Sequence, residues 1–263
     1  MLQAYADHWA LITGASSGIG AEFARQLAAR GMHLILTSRR ETLLTDLAQE
    51  LHLAHGTKTE IIASDLTTSG ESARLLAEIE HRGRPIELLV NNAGVGYVAE
   101  ITNTDVSRVR DMLQLNIVAL SELTYRVLPA MLERKHGGII NVASVAAFQP
   151  VAYMGAYAAS KAYVLHFSEA LWAEARESGV TVLALCPGTT RTEFFDVAGA
   201  KGWLANRRAQ DVKPVVKTAL KALEQRRQYV VSGWANQVLS VAVRLASRRT
   251  AVRESMKYFR PRD

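Results

Sequence analysis

The stretch HWALITGASSGIG (residues 8–20) decides the fold of this chain, because it joins a short apolar run directly to a glycine-rich turn. Residues 8–12 predict a buried β-strand, and the apolar positions of residues 21–28 predict an amphipathic helix that Gly31 ends. A second apolar run follows at residues 33–37. This order of strand, glycine turn, helix and strand predicts a βαβ unit that binds a dinucleotide.

The three glycines of that turn can each serve a bound dinucleotide in a different way. Gly14 can make the tight turn, Gly18 lets the backbone approach a pyrophosphate, and Gly20 allows the helix to pack closely on the strand. The start of the helix adds free N–H donors and the positive end of its dipole. The spacing is Gly-x-x-x-Gly-x-Gly, which does not match the general G-x-G-x-x-G pattern, so the surrounding strands and helix carry the prediction.

The end of the second predicted strand indicates which nucleotide is bound. It reads Ser38-Arg39-Arg40, with no acidic residue before Glu41. An acidic side chain at this point holds the ribose hydroxyls of NAD, whereas an arginine accommodates the 2′-phosphate of NADP. Two solvated arginines are the alternative, but cations are disfavoured at a helix N-terminus. We therefore expect NADP(H) in preference to NAD(H), with Arg39 as the phosphate clamp and Ser38 or Arg40 assisting.

Tyr157 and Lys161 form a candidate acid–base pair. They are one helical turn apart, so the phenol and the ammonium project from the same helix face. A cation about 4 Å from the phenol, at an effective dielectric constant near 20, would lower the tyrosine pKa by up to about three units. That shift would bring the phenol within range of general acid–base catalysis. Such spacing also occurs by chance, with the ring half-buried and the amine in solvent.

Ser144 and Asn116 are further candidates. Ser144 follows the predicted strand at residues 138–143, where a serine is often a helix cap; here the loop that follows can fold back so that Ser144 and Tyr157 bind one carbonyl oxygen. Asn116 lies within a long periodic segment, residues 105–134, which predicts a helix. An asparagine inside a helix usually points to solvent.

These motifs together resemble the short-chain dehydrogenase/reductase family, and the likeness extends to about residue 232. The resemblance implies a catalytic tetrad of Asn116, Ser144, Tyr157 and Lys161, in which Asn116 holds a proton-relay water and Lys161 binds the nicotinamide ribose. It also implies that Asp65 and Leu66 contact adenine and that the loop containing Pro187, Gly188 and Thr192 holds the nicotinamide amide. The coenzyme contacts expected on all these grounds are Gly14, Ser16, Ser17, Gly18, Ile19, Gly20, Ser38, Arg39, Arg40, Asp65, Leu66, Asn92, Ala93, Gly94, Tyr157, Lys161, Pro187, Gly188, Thr190 and Thr192.

Length and composition favour one enzyme domain over residues 1–263. The chain is 49% hydrophobic and 21% charged, and strand and helix patterns alternate along it. They predict an α/β fold of the Rossmann type, a doubly wound parallel sheet of about seven strands with helices on both faces. Cys186 is the only cysteine, and the histidines lack zinc-ligand spacing, so neither a disulfide nor a metal site is predicted. No signal peptide or membrane span is expected, which favours a cytoplasmic protein.

The positive charge is concentrated at the C-terminal end. Residues 207–263 hold 14 Lys or Arg against 4 Asp or Glu. Within them, residues 234–263 form a basic extension that begins with an apolar helical stripe of Trp234, Val238, Val241 and Leu245. Three interpretations stay open: a helix packed on its own domain with a solvated tail, a stripe in a lipid headgroup layer at the inner face of a membrane, and nucleic-acid binding, for which no recognition motif is present.

The sequence therefore predicts an NADP(H)-dependent oxidoreductase that transfers a hydride between nicotinamide C4 and a carbonyl or secondary alcohol. A non-catalytic nucleotide-sensing or membrane-surface scaffold protein on the same fold is the alternative, although such proteins usually lose the Tyr or Lys. The family resemblance also implies a homodimer or homotetramer. Apolar loop residues that border the substrate pocket in that family favour a bulky hydrophobic substrate; they are Phe148, Val151, Tyr153, Met154, Phe194, Phe195 and Trp203.

Overall fold

A parallel sheet of seven strands forms the centre of the computed structural model, which describes residues 5–200, 202–203 and 207–260. The strand order is β3-β2-β1-β4-β5-β6-β7, so it reverses between β1 and β4, where α/β sheets bind their ligands. The end of the predicted basic extension, including Arg262, lies outside the described residues. The strands are β1 (Trp9–Thr13), β2 (His33–Ser38), β3 (Thr59–Ala63), β4 (Ile86–Asn91), β5 (Gly137–Val142), β6 (Val180–Cys186) and β7 (Tyr229–Val231).

Helices cover both faces of this sheet, as predicted. Neighbouring residues of a strand point to opposite faces, so Ile12 joins the apolar cluster that includes Leu27 of α1, whereas Leu11 joins the cluster that includes Leu123 of α5. The two clusters are the layers of a doubly wound domain. The helices are α1 (Gly18–Ala28), α2 (Glu41–His55), α3 (Glu71–His81), α4 (Val106–Leu113), α5 (Leu120–Glu133), α6 (Gly155–Ala175), α7 (Phe194–Val197), α8 (Val212–Glu224), α9 (Trp234–Leu245) and α10 (Arg248–Phe259).

The long helix predicted over residues 105–134 is interrupted. A π-helical segment, Gln114–Ala119, separates α4 from α5. Such segments add a residue to a helical turn and are frequent at functional sites. Asn116 lies in the middle of this segment and is buried. The general tendency of an asparagine inside a helix to point to solvent therefore does not apply to Asn116.

The C-terminal end agrees only in part with the interpretation of a packed helix with a solvated tail, because α9 packs on its own domain through Asn236, which contacts Gly188, and not through its apolar stripe. The apolar stripe of α9 faces outward, and the buried side chain of this helix is Ser240. The predicted tail forms a second helix, α10, which Ser247 caps by accepting a hydrogen bond from the Thr250 N–H at 3.1 Å. Within the described part of the chain, no helix is long and apolar enough to cross a membrane, and no cluster of three or more metal-binding side chains is found.

Candidate active site

One cleft runs along the carboxyl edge of the sheet and has a volume of about 880 Å³. The loops that follow β1, β2, β3, β4, β5 and β6 all contribute to its wall, because parallel strands end at the same edge. Most of the site residues that the sequence predicts line this cleft, including all of the tetrad except Asn116. Asn116 is buried behind the wall.

The glycine turn, residues 14–20, forms part of the cleft wall at the end of β1. Gly14 and Gly18 have φ angles of +64° and +56°, a region that glycine adopts without strain. A Cβ atom added at Gly20 would overlap the Gly14 carbonyl oxygen and lie 2.5 Å from Asn92 Nδ2. The close approach at Gly20 is therefore to the turn itself. Helix α1 begins at Gly18, and the Ser17 side chain makes no capping hydrogen bond, so it leaves the first N–H groups of the helix to another acceptor.

Thr13 holds the glycine turn against the end of β4, a role that the sequence did not reveal. Its hydroxyl oxygen accepts hydrogen bonds from the N–H groups of Asn92 at 3.0 Å and Ala93 at 2.9 Å. In return, the Asn92 amide donates to the carbonyl oxygens of Thr13 at 2.9 Å and Gly14 at 3.2 Å. The signal available in the sequence was a threonine between an apolar run and the first glycine of the turn. This exchange positions the backbone of residues 92–94 beside the turn.

The two arginines after β2 have different surroundings. The Arg40 guanidinium donates to Ser16 at 3.0 Å, to Ser17 at 2.7 Å and to Glu193 at 3.0 Å. Arg39 is 64% exposed, and its guanidinium lies 3.9 Å from the Asp65 carboxylate. Arg40 thus joins the glycine turn to the loop after β6, whereas Arg39 is open to the cleft. Glu193, which the sequence did not indicate, has its pKa lowered mainly by the hydrogen bond from Arg40.

Asp65 and Leu66 follow β3 and line the same end of the cleft. The Asp65 carboxylate accepts hydrogen bonds from the N–H of Thr67 at 3.1 Å and from the Thr67 hydroxyl at 2.7 Å. This is the turn chemistry common for aspartate. One carboxylate oxygen is used in the turn, and the other faces Arg39.

Helix α6 carries Tyr157 and Lys161 one turn apart, with both side chains buried. The Lys161 ammonium donates to the Val142 carbonyl oxygen at 2.8 Å and lies 5.8 Å from the centre of the Tyr157 ring. It is therefore anchored to the end of β5. Ser144, two residues beyond that strand, accepts from the Ala146 N–H at 3.1 Å and contributes a hydrogen bond to Tyr157. The serine acts both as the expected cap and as a neighbour of the phenol.

The predicted lowering of the Tyr157 pKa is wrong. Burial raises the pKa of Tyr157 to about 12, and the hydrogen bond with Ser144 only partly opposes this. Burial also lowers the pKa of Lys161 to about 8. Desolvation disfavours the charged form of each group, so it moves the two pKa values in opposite directions. At neutral pH the phenol is protonated and is therefore a proton donor.

Asn116 is held by the main chain of the β4 loop. Its Oδ1 accepts from the Val95 N–H at 3.0 Å, and its Nδ2 donates to the Val95 carbonyl at 3.0 Å and to Ser160 Oγ at 3.1 Å. Ser160 in turn donates to the Tyr157 carbonyl at 2.7 Å, so it connects Asn116 to α6. A Cβ atom added at Gly94 would lie 3.1 Å from Asn116 Oδ1 and 3.2 Å from Lys161 Nζ. A side chain at position 94 would therefore require these two polar groups to shift by a few tenths of an ångström.

The loop after β6 folds over the glycine turn. A Cβ atom added at Gly18 would lie 2.9 Å from the Thr192 methyl group, so this threonine covers the turn. Thr190 is buried and donates its hydroxyl to the Gly188 carbonyl at 2.9 Å. Pro187 accepts at its carbonyl from the Val145 N–H at 2.9 Å. Asn236 of α9 packs against Gly188, a contact that the sequence did not reveal.

The other end of the cleft is lined mainly by apolar and aromatic side chains. Of the seven predicted pocket residues, Val151, Met154, Phe194 and Phe195 line it. Among the described residues, Phe148, Tyr153 and Trp203 do not, which corrects that prediction. Trp203 instead supports the wall from behind, with its ring 4.1 Å from Phe195 and 5.4 Å from Phe259, both stacked. The sequence also missed the contribution of the last helices, which add Leu239, Glu254, Ser255, Tyr258 and Phe259 to the lining.

A glycine turn at the carboxyl edge of a doubly wound parallel sheet defines the class of Rossmann-type α/β domains. Within that class the chain belongs to the short-chain dehydrogenase family, whose model matches residues 8–202. The predicted family and fold are thereby confirmed. A short-chain dehydrogenase from Sphingobium yanoikuyae, solved in complex with NADPH, superposes with a TM-score of 0.81 at 32% identity, and the match covers 90% of this chain and 94% of the other.

Two relatives show how far the likeness extends. The very-long-chain 3-oxoacyl-CoA reductase of Anas platyrhynchos is 36% identical over 195 residues, which are 72% of this chain and 62% of the relative. The inactive hydroxysteroid dehydrogenase-like protein 1 of Homo sapiens is 36% identical over 181 residues, 68% of this chain and 54% of the relative. The chain therefore spans little more than half the length of each relative.

Proposed function

We propose that this chain is an NADP(H)-dependent reductase of bulky, hydrophobic carbonyl compounds, acting reversibly on the corresponding alcohols. The observation that carries the proposal is the position of Tyr157. Its buried phenol lines the same cleft as the glycine turn, beside Ser144 and one helical turn from Lys161. This placement brings an acid–base group next to a dinucleotide cradle.

The residues present fit a nicotinamide dinucleotide. Gly14 and Gly18 leave backbone without side chains at the turn, and the uncapped start of α1 offers N–H donors to a pyrophosphate. Arg39 is exposed at the adenosine end, and its ion pair with Asp65 is long, at 3.9 Å, so its guanidinium can still bind a 2′-phosphate. Lys161 and the residues 92–94 would border the ribose and the nicotinamide. When bound, the coenzyme supplies or accepts the hydride.

The side chains of the tetrad then divide the proton chemistry. Ser144 donates a hydrogen bond to the substrate oxygen and orients it. Tyr157, protonated at neutral pH, gives its proton to that oxygen as negative charge develops there. The Lys161 ammonium, anchored on Val142, stabilises the phenolate that this transfer leaves. Asn116 fixes the β4 loop and supports the proton relay that the family resemblance implies.

The lining of the cleft supports a hydrophobic substrate. Met154, Phe194, Tyr258 and Phe259 surround the space next to Tyr157, and the Phe194 ring lies 5.3 Å from the Tyr157 ring. Burial of an apolar substrate against such side chains is favourable in proportion to the area removed from water. The names of the two relatives refer to very long acyl chains and to hydroxysteroids, which agrees with a large apolar substrate.

A non-catalytic nucleotide-sensing or scaffold role is the second candidate, because the human relative is an inactive protein. Fold alone does not determine activity, so the choice depends on the site, and the intact tetrad of this chain favours catalysis.

The proposed homodimer or homotetramer is supported by the exposed apolar side chains Val118, Tyr125 and Tyr163, which lie on the π-helical segment, α5 and α6. Light scattering of the wild type and of Tyr125→Asp tests it, and a monomeric wild type would contradict it.

The proposed function is tested by following NADPH and NADH oxidation with a panel of aldehydes, ketones, steroids and acyl thioesters. We expect turnover of bulky apolar carbonyls with NADPH in preference to NADH. Tyr157→Phe should reduce kcat by about 10²- to 10⁴-fold while the Kd for NADPH stays unchanged. Tyr125→Phe, the same change at an exposed position, is the matched control. Retained turnover in Tyr157→Phe would refute the assignment, and faster turnover with NADH would refute the coenzyme preference.

A further inference from the structure

Helix α9 presents a continuous apolar ridge to the outside of the protein. Its four residues, Trp234, Val238, Val241 and Leu245, are 79%, 60%, 58% and 85% exposed. At about 100° per residue, their side chains fall within an arc of roughly 60°. Single exposed apolar residues are ordinary, whereas an aligned set marks an interaction surface. We call this set the α9 ridge.

Cations follow the α9 ridge closely. Residues 234–260 contain six Arg or Lys and a single acidic residue, Glu254. Glu254 already accepts a hydrogen bond from Lys257 at 2.8 Å. Arg248 and Arg249 begin the next helix, which starts three residues after Leu245; both are exposed and make no ion pair within the described part of the chain. The ridge therefore ends in positive charge that has no counter-charge nearby.

We propose that the α9 ridge and the start of α10 dock on the surface of an anionic phospholipid bilayer. The ridge would lie among the headgroups and upper acyl chains, as amphipathic helices do, and the arginines would contact the lipid phosphates. An anionic bilayer contacts both the apolar ridge and the cations that follow it. Nucleic acid would use mainly the cations, because three of the four ridge residues are aliphatic and have no role on a phosphate backbone. A second copy of the chain, docked through the same residues 234–260, would bring six more cations and one carboxylate that is already paired. The two positive surfaces would repel each other.

The same two helices border the substrate end of the cleft. Leu239 of α9 and Tyr258 and Phe259 of α10 line it, although the ridge residues themselves do not. Docking would therefore place the apolar end of the cleft beside the lipid. A bulky hydrophobic carbonyl compound dissolved in the bilayer could then enter directly; this step alone rests on the proposed reductase function.

Vesicle flotation tests the docking surface. The probe is a vesicle of phosphatidylcholine and phosphatidylglycerol in a ratio of roughly 2:1, compared with pure phosphatidylcholine. We expect the wild type to float with the anionic vesicle, and Val238→Glu/Val241→Glu to bind it at least about tenfold more weakly. Leu53→Glu changes a leucine on α2 that is 77% exposed, and it is the control for an acidic side chain elsewhere on the surface. Salt at about 1 M should also release the wild type, because it screens the arginines.

Turnover of a water-soluble ketone, measured on the same preparations, separates docking from catalysis. Both variants should retain it, because none of the three residues lines the cleft. The docking proposal is overturned if the wild type does not float with anionic vesicles, or if Val238→Glu/Val241→Glu floats as well as Leu53→Glu. It is also overturned if light scattering without lipid shows a larger assembly for the wild type than for the double variant, since a second copy then covers the ridge. Flotation without turnover would contradict the proposed function alone.

Discussion

The two ends of the cleft are built in different ways. At the coenzyme end, hydrogen bonds of 2.9 to 3.2 Å join Thr13, Gly14, Asn92 and Ala93, so short polar contacts fix the backbone. At the substrate end, stacked and edge-on rings join α7, Trp203 and α10. Polar contacts allow little tolerance in geometry, whereas apolar packing tolerates changes that conserve volume. We therefore expect the coenzyme end to be rigid and the substrate end to be adaptable.

The largest effect is expected from a side chain that fills the space at the coenzyme end of the cleft. In Gly20→Ala, the added methyl group would overlap the Gly14 carbonyl and approach Asn92 Nδ2 to 2.5 Å. Overpacking of this kind costs about 1–3 kcal/mol of folding free energy, and here it also displaces the turn that faces the pyrophosphate. We expect a lowered Tm by differential scanning fluorimetry and the loss of detectable NADPH binding. Gly155→Ala is the matched control, because an added Cβ at Gly155 meets nothing within 4 Å. Equal behaviour of the two variants would show that the turn is not rigid.

The second largest effect should come from the arginine that is open to the cleft. A charge-assisted hydrogen bond contributes about 1.5–3 kcal/mol, so Arg39→Ala should raise the Kd for NADPH by roughly 10- to 150-fold. The Kd for NADH should change little, because NADH has no 2′-phosphate. Fluorescence titration with both coenzymes measures this, with Arg25→Ala as the control, since Arg25 pairs with Glu50 on the surface. An equal loss for NADPH and NADH would instead assign Arg39 to the shape of the cleft.

The sequence predicts the coenzyme end well, and the reason is local. The strands predicted at residues 8–12, 33–37 and 138–143 each begin and end within one residue of the observed strands. Tyr157, Ser144 and Lys161 line one cleft, as predicted. Both predictions rest on apolar runs and short motifs, which depend on neighbouring residues. Family resemblance supplied the role of Asn116, but not the π-helical segment that buries it. A π segment depends on how two helices pack, and periodicity alone does not reveal it.

The substrate end and the pKa values could not be predicted in this way. Phe195 and Phe259 lie far apart in sequence and meet through Trp203. The periodicity of α9 shows an apolar stripe but not the direction it faces, and the structure turns it outward. The pKa of Tyr157 depends on burial by residues from several elements, so the spacing of Tyr157 and Lys161 predicted the wrong sign. Long-range packing decides all three.

A smaller effect is expected from pH, through Lys161. Burial lowers the pKa of Lys161 to about 8, so its ammonium is present below pH 8 and is lost as the pH rises. Tyr157 stays protonated over this range, because burial raises its pKa to about 12. For reduction, kcat/KM should therefore be level below pH 7 and fall about tenfold by pH 9, since it reports the groups of the free enzyme. Circular dichroism over the same range controls for unfolding. If kcat/KM stayed level up to pH 9, the positive charge of Lys161 would not contribute to the reaction.

The smallest effect should come from the aromatic packing at the substrate end. Trp203→Ala removes the ring that stacks on Phe195 and Phe259 behind the cleft wall, which should loosen the wall without opening the coenzyme end. Because adaptable apolar packing is only partly lost, we expect KM for a bulky ketone to rise about fivefold, which corresponds to about 1 kcal/mol, with the Kd for NADPH unchanged. Trp234→Ala removes an exposed tryptophan outside the cleft and is the control in lipid-free buffer. If Trp203→Ala weakened NADPH binding as strongly as the ketone, the two ends of the cleft would be coupled, and the contrast between a rigid end and an adaptable one would not hold.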